Sequence, residues 1–334
     1  MESPAGKPRR NQYLNGKTVV ITGASSGAGR AAALEFARYG SNLVLAARRI
    51  DALEEVVLEC EELGASAMAV KTDVTDAASV KALASAASEY NGVIDVWVNN
   101  AGVLALGEFD KTPIEVHDQV IRTNLLGYMH GAHAVLPYFK KQGYGVLINN
   151  ISVGGWFPTP YGGGYTASKF GLRGFSESLR GELLKWPGIR VCDLFPAFLD
   201  TPGVQHAANY TGVALRPAPP VFDPQNLAKK MVSLALNPAQ RYRSDPAAQL
   251  LRFAHVFFPG LTRRITSRVI NMYFNTAEPI ETTNGNIFEP VEYGTSIHGG
   301  WNITTRKERV IKRSLLVSGL VIGLIALNRL GKRS

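Results

Sequence analysis

The sequence predicts an α/β fold: one open, doubly wound parallel sheet with helices on both faces, continued by a helical C-terminal extension. Two observations predict it. Between Lys17 and Phe195, short strand-like runs alternate with longer helical stretches, and that alternation builds a parallel sheet through crossover helices. A glycine-rich turn also stands between the first run and the first helical stretch. Strand, turn and helix N-terminus together make an anion site. With 334 residues, 46 % of them hydrophobic, the chain has a core large enough to need no staples.

The elements follow in order. Lys17 to Thr22 is a β-branched run of strand type. Gly23-Ala24-Ser25-Ser26-Gly27-Ala28-Gly29 leads from it into the helical pattern Arg30 to Tyr39, and the missing side chains let a phosphate approach the backbone. The spacing Gly-x-x-x-Gly-x-Gly differs from the dinucleotide fingerprint Gly-x-Gly-x-x-Gly. Further strands are expected at 42–47, 66–72, 94–99, 145–150 and 189–195, with helices at Asp76 to Tyr90, Ile114 to Lys141 and Tyr165 to Lys185. Beyond the sheet, Leu261, Ile265 and Val269 recur every four residues, with Arg263, Arg264 and Arg268 on other faces. That pattern is an amphipathic basic helix, which lies on anionic lipid, covers a core with its arginines in water, or forms a lid over a pocket.

The chemistry gathers in Tyr165-Thr166-Ala167-Ser168-Lys169. Helix positions four apart share a face, so Lys169 lies beside the phenol. A free tyrosine, with a pKa of about 10, is a poor base at neutral pH. The adjoining ammonium is expected to lower that pKa, leaving a proton donor and acceptor usable near working pH. Ser152 stands thirteen residues before the tyrosine.

Taken in chain order, Thr22 to Gly29, Asp73-Val74, Asn99-Asn100-Ala101-Gly102, Asn124, Ser152, Tyr165 with Lys169, and Pro196 with Thr201 resemble the motifs of the short-chain dehydrogenase/reductase family. The resemblance covers residues 13 to 205. It implies a Rossmann-type sheet of about seven strands, the seventh near Gln240 to Ser244. By resemblance Tyr165 exchanges a proton with the substrate oxygen, Lys169 lowers its pKa and binds the nicotinamide ribose, Ser152 hydrogen-bonds the carbonyl or alcohol, and Asn124 holds a water linking the lysine to solvent. The dinucleotide is assigned to Gly23, Ser25, Ser26, Gly27 and Gly29 of the turn, to Asp73 and Val74 at the adenine, to Asn100, Ala101 and Gly102, and to Pro196 and Thr201, with Tyr165 and Lys169. One departure is Pro196-Ala197 where the family has Pro-Gly. The implied domains are a basic N-terminus (1–12), a Rossmann-fold catalytic body (13–245), an extension near the substrate pocket (246–305) and a basic, apolar tail (306–334).

The second expected strand ends in Arg48-Arg49, with no acid from Ala46 onward to Arg49. An NAD-preferring site places a carboxylate there for the ribose 2′-OH. A guanidinium instead clamps a 2′-phosphate. The expected cofactor is NADP(H), with Arg48 as main contact and Arg49 as helper.

Charge is uneven. From Arg306 onward the chain carries eight basic residues and one acid, and the first ten residues carry three basic residues and one acid, so these two ends account for the whole formal charge of +9. A near-neutral body excludes a nucleic-acid groove, and the basic ends suit a membrane surface. Ser314 to Asn328 is uncharged and apolar between Lys312-Arg313 and Arg329. It is shorter than the roughly 20 residues of a full span. A short anchor, an interfacial helix and an oligomer-packing helix all stay open. Cys60 and Cys192 read as buried reduced thiols of a cytoplasmic protein. The scattered histidines make no metal site, and the N-terminus lacks the apolar stretch of a signal peptide.

Between Ser152 and Tyr165 lies Gly154-Gly155-Trp156-Phe157-Pro158-Thr159-Pro160-Tyr161, and by resemblance Leu104, Leu106, Phe198, Leu199 and Val204 join it. That lining suits a small apolar ketone, aldehyde or alcohol. The expected function is NADP(H)-dependent interconversion of such a carbonyl and its alcohol, in a homo-oligomer. The alternative is a non-catalytic NADPH-binding sensor or scaffold at a membrane.

Overall fold

The computed structural model describes residues 13–239 and 246–301. It divides into two compact units, Met1–Gly299 and Gly300–Ser334. The second contributes only Gly300 and Trp301 to the described residues.

The sheet of the first unit is built from β1 (Thr18–Thr22), β2 (Asn42–Ala47), β3 (Ala67–Lys71), β4 (Val96–Asn99), β6 (Gly145–Asn150) and β7 (Ile189–Leu194), all parallel, in the order β3-β2-β1-β4-β6-β7. Every residue of β1 is buried, as expected of a β-branched strand covered by helices on both faces. One layer of core joins α1 (Gly27–Ala37), α2 (Ile50–Glu62) and α7 (Pro224–Leu236) to the sheet. The opposite layer joins α3 (Ala77–Asn91), α5 (Gly127–Gln142) and α6 (Gly163–Glu182). Strand order reverses between β1 and β4, and the crevice outside the carboxyl ends of the strands at such a switch point is where ligands bind.

Each of the six strands expected before Phe195 is present, trimmed by a residue or two at most. The segment expected as the seventh, Gln240 to Ser244, lies outside the described residues, as does the tail from Arg306. One expectation is revised and two features are added. The helix expected from Ile114 to Lys141 is α4 (Ile114–Ile121) and α5 with a π-helical turn, Arg122–Leu126, between them. The amphipathic helix expected around Leu261, Ile265 and Val269 is α9 (Pro259–Phe274), and a second helix, α8 (Pro246–Phe257), precedes it in a hairpin, the two separated where Pro259 lacks the N–H that a continuing helix needs. Two short strands unseen in the sequence, β5 (Ala105–Gly107) and β8 (Ala208–Tyr210), pair in parallel beside the main sheet. Among the described residues no helix is long and apolar enough to cross a membrane.

Candidate active site

The glycine turn after β1 is shaped by contact. A Cβ on Gly29 would stand 2.0 Å from the carbonyl oxygen of Gly23 and 2.7 Å from Nδ2 of Asn100. At Gly23, where φ is +66°, a Cβ would stand 2.7 Å from Cα of Ala101. Only bare backbone fits. The loop after β4 holds the turn in place: Asn100 Nδ2 donates to the carbonyls of Thr22 and Gly23, both at 3.1 Å, and the N–H groups of Asn100 and Ala101 donate to Oγ1 of Thr22 at 3.0 and 3.2 Å. Asn100 therefore acts on the turn itself. Asp73 accepts two hydrogen bonds at one oxygen, from the N–H and hydroxyl of Thr75, so that oxygen closes a turn, while its charge acts on Arg48. Val74 packs against Gly127 and gives its carbonyl to His130. Thr201 lies against Gly27, and the carbonyl of Pro196 accepts the N–H of Val153.

Past the C-terminal edge of the sheet runs a strap, residues 283–299, that the sequence did not reveal. Ile287 anchors it, fully buried among Val103, Ala105, Val116, Val120 and Ala208. Arg48 donates to the carbonyls of Asn286 at 2.7 Å and Phe288 at 2.8 Å. Arg49 donates to that of Val291 at 2.9 Å and pairs with Asp51. Arg30 donates to that of Thr295, and the N–H of Gly27 donates to that of Ser296. Both arginines expected at a 2′-phosphate thus already hold backbone carbonyls. Burial holds the Arg48 guanidinium below its ordinary pKa, against the pull of Asp73 and Glu289.

The second cluster forms where β6 ends. Ser152 has φ +114° and ψ 154°, a region costly for any residue but glycine. The backbone around it is fixed by Ile151 donating to the Leu194 carbonyl at 2.9 Å and Val153 to that of Pro196 at 2.8 Å. Its hydroxyl accepts the N–H of Gly154 at 3.1 Å and stands close enough to the Tyr165 phenol to pull its pKa down. A Cβ on Gly154 would stand 2.9 Å from Cε1 of Tyr165, so a glycine there lets the ring come up against Ser152. One helical turn along α6, Lys169 is 4 % exposed, its Nζ 5.6 Å from the Tyr165 ring centroid and 5.3 Å from that of Tyr128. Burial alone pulls its pKa down to about 7.

The phenol corrects an expectation. Its pKa is raised, by burial first, with the Ser152 hydrogen bond pulling the other way. Spacing on the helix foresaw the lysine's position but not the desolvation, nearly complete at Lys169 and partial at Tyr165, that opposes charge on either. Asn124 has its side chain engaged with the backbone. It sits in the π-helical turn, fully buried, and exchanges two hydrogen bonds with the Val103 backbone at 2.8 and 2.9 Å. Its side chain clamps the chain after Gly102, where a Cβ would stand 3.9 Å from Nζ of Lys169.

Tyr128 is a site residue that the sequence reading missed. Its ring lies by the lysine, and its hydroxyl donates to the Asn150 carbonyl at 2.7 Å. The available signal was its place one helical turn after Asn124. Of the aromatic residues expected at the mouth, Trp156 braces more than it lines: the guanidinium carbons of Arg173 and Arg252 lie 3.3 and 3.7 Å from its ring centroid, and Phe195 packs against it.

The geometry joins a glycine cradle, a hydroxyl, a phenol and a buried amine at one end of one parallel sheet. Residues 17–210 match the family model for short chain dehydrogenase. The chain belongs to the short-chain dehydrogenase family. It is an oxidoreductase of that family. It is 30 % identical over 335 residues to the uncharacterized oxidoreductase YxnA of Bacillus subtilis (strain 168), covering 97 % of this chain and 94 % of that one. It is 36 % identical over 214 residues to a dehydrogenase/reductase SDR family protein 7-like of Anopheles gambiae, covering 62 % and 67 %. Among solved structures, an alcohol dehydrogenase from the archaeon Thermococcus sibiricus complexed with 5-hydroxy-NADP superposes with TM-score 0.58 at 30 % identity, over 69 % of this chain and 94 % of that one. A metagenomic short-chain oxidoreductase in complex with NADP does so with TM-score 0.58 at 29 % identity, over 69 % and 95 %.

Proposed function

We propose that the protein is an NADP(H)-dependent oxidoreductase that interconverts a small apolar ketone or aldehyde and its alcohol. The observation that carries this reading is the meeting of half-buried Ser152 and Tyr165 with buried Lys169 in one corner beside the glycine cradle.

The residues fit a dinucleotide. The clash that any Cβ would make at Gly23 and Gly29 suits a backbone that must face a diphosphate. The basic end of β2, with no acid, suits a 2′-phosphate on Arg48 and Arg49, and the 5-hydroxy-NADP and NADP bound to the two structural relatives support the same choice. Arg48 spends two of its five N–H donors on the carbonyls of Asn286 and Phe288, which leaves three for a phosphate. When bound, the nicotinamide supplies or accepts the hydride.

This chain's own residues handle the oxygen and the proton. Adding hydride to a carbonyl creates an alkoxide, which needs donors aimed at it. Ser152 and Tyr165 supply two hydroxyls side by side. A raised phenol pKa keeps Tyr165 protonated at neutral pH, the state from which it donates to the new alkoxide. Lys169, with its pKa brought to about 7, gains or loses a proton near neutrality and so replenishes the phenol. Asn124 and Ser168 position the lysine's helix, through the Val103 clamp and the 3.4 Å contact between their side chains. The apolar residues that the 154–161 loop contributes by composition favour an apolar substrate.

The test is a panel of apolar aldehydes and ketones with NADPH, followed by absorbance at the nicotinamide band. Turnover on at least one member is expected. Tight NADPH binding without turnover on any member would replace this reading with that of a cofactor sensor.

A further inference from the structure

The α8–α9 hairpin has two faces with different partners. Its inner face is fastened to the loop between Ser152 and Tyr165. Arg252 stacks on Trp156, His255 meets Phe157 edge-on at 5.4 Å, and Asn271 accepts the hydroxyl of Tyr161. The corner is closed by His255 Nδ1 and Thr262 Oγ1 at 2.9 Å. Its outer face meets nothing among the described residues that buries it. No residue of α9 is buried. Phe257, Leu261, Ile265 and Val269 are 68, 53, 52 and 60 % exposed, and Phe253, Val256, Phe258 and Met272 are exposed with them.

Leaving so many large apolar side chains in water is costly, and contiguous patches of this kind mark interaction sites. The charge pattern selects the partner. Residues 246–274 contain four arginines and no acid. Arg252 is engaged with Trp156, while Arg263, Arg264 and Arg268 are exposed on the helix that carries Leu261, Ile265 and Val269. A second copy docking through the same face would set arginines against arginines, with no carboxylate in the segment to answer them. A bilayer carrying anionic headgroups answers both features at once: its acyl boundary takes the apolar side chains and its phosphates take the guanidinium groups. The sequence beyond Arg306 repeats this chemistry, with eight basic residues around the uncharged run Ser314 to Asn328, and lasting membrane attachment generally needs two such signals.

We propose that the outer face of the α8–α9 hairpin docks on an anionic phospholipid bilayer. The docking does not depend on the enzymatic reading. If that reading also holds, the contacts of Trp156, Phe157 and Tyr161 put the active-site loop directly behind the docked face, where a lipid-dissolved substrate arrives.

The test uses the full chain with vesicles of phosphatidylcholine alone and of phosphatidylcholine with phosphatidylglycerol. Sedimentation with the anionic vesicles, weakened by salt, is expected. The variant Arg263→Glu/Arg264→Glu/Arg268→Glu should bind at least about a hundredfold more weakly, with thermal unfolding unchanged because these side chains are exposed. Binding of the variant equal to wild type would assign attachment elsewhere and overturn the proposal. So would loss of a concentration-dependent dimer, rather than of vesicle binding, in the variant. A second measurement bypasses folding of the triple variant. Cys60 and Cys192 are fully buried, their thiols pushed up to about 12, so Val269→Cys takes an environment-sensitive fluorophore selectively. A blue shift on anionic vesicles is expected, and an unchanged spectrum contradicts the docking.

Discussion

Replacing Lys169 with Met should make the cofactor-free protein more stable while abolishing turnover. Methionine keeps most of the unbranched stem and removes the ammonium. In the folded protein Lys169 has its pKa lowered from 10.5 to about 7 by burial. Between those two values the unfolded chain binds the extra proton and the folded chain does not, so wild-type stability rises with pH across that window. Below pH 7 both states are protonated and the whole cost of burying the charge is present. At about 1.4 kcal/mol per pKa unit, the drop from 10.5 to about 7 corresponds to a ceiling of about 5 kcal/mol at pH 6. At pH 9 the remaining cost is about 2 kcal/mol by the same constant. Urea unfolding of wild type and Lys169→Met at pH 6, 7.5 and 9 reads this directly. The variant should have the higher midpoint at pH 6, and the gap should narrow steadily toward pH 9. A variant less stable than wild type at every pH, with a constant gap, would refute the claim that the ammonium is held in a desolvated site against its preference. A binding site often carries such a cost, because the same dryness that destabilises the free amine strengthens its interactions once a ligand covers it.

Other outcomes can be checked alongside. Arg48→Ala should weaken NADPH binding by about tenfold or more and leave NADH nearly unchanged, since a charge-assisted phosphate contact contributes roughly 1.5–3 kcal/mol; titration of both cofactors reads the ratio, and equal losses would move the 2′-phosphate site elsewhere. The same substitution frees the carbonyls of Asn286 and Phe288, so limited proteolysis should cut the strap faster than in wild type. Gly29→Ala sets a methyl 2.0 Å from the Gly23 carbonyl, so it should remove cofactor binding and lower the unfolding midpoint, whereas Gly174→Ala, on α6 with open space around it, should do neither.

Much of the fold was legible because its signals are local. The run Thr18 to Thr22, the glycine turn and the helix after it are adjacent in sequence, and the Tyr165–Lys169 pairing follows from the helical repeat. What escaped depends on distant contacts. The π-helical turn at Arg122–Leu126 has no glycine or proline to mark it; Asn124 holds it through Val103, a partner twenty-one residues away. The strap is irregular chain whose importance appears only when its carbonyls meet Arg48, about 240 residues earlier. The direction of the Tyr165 shift was misread for a related reason. Sequence spacing reveals a neighbouring charge, but only packing reveals that water is gone. Trp156 likewise has the composition of a pocket wall, and two arginines from α6 and α8 make it a brace.

The central claim is that the Tyr165 phenol supplies the proton that completes hydride transfer. The direct measurement compares wild type with Tyr165→Phe on whichever apolar carbonyl the protein reduces, with NADPH affinity followed separately. The account predicts a loss of roughly 10²–10⁴ in kcat, the usual contribution of a positioned acid, at unchanged NADPH affinity. Equal turnover by the two proteins would contradict it.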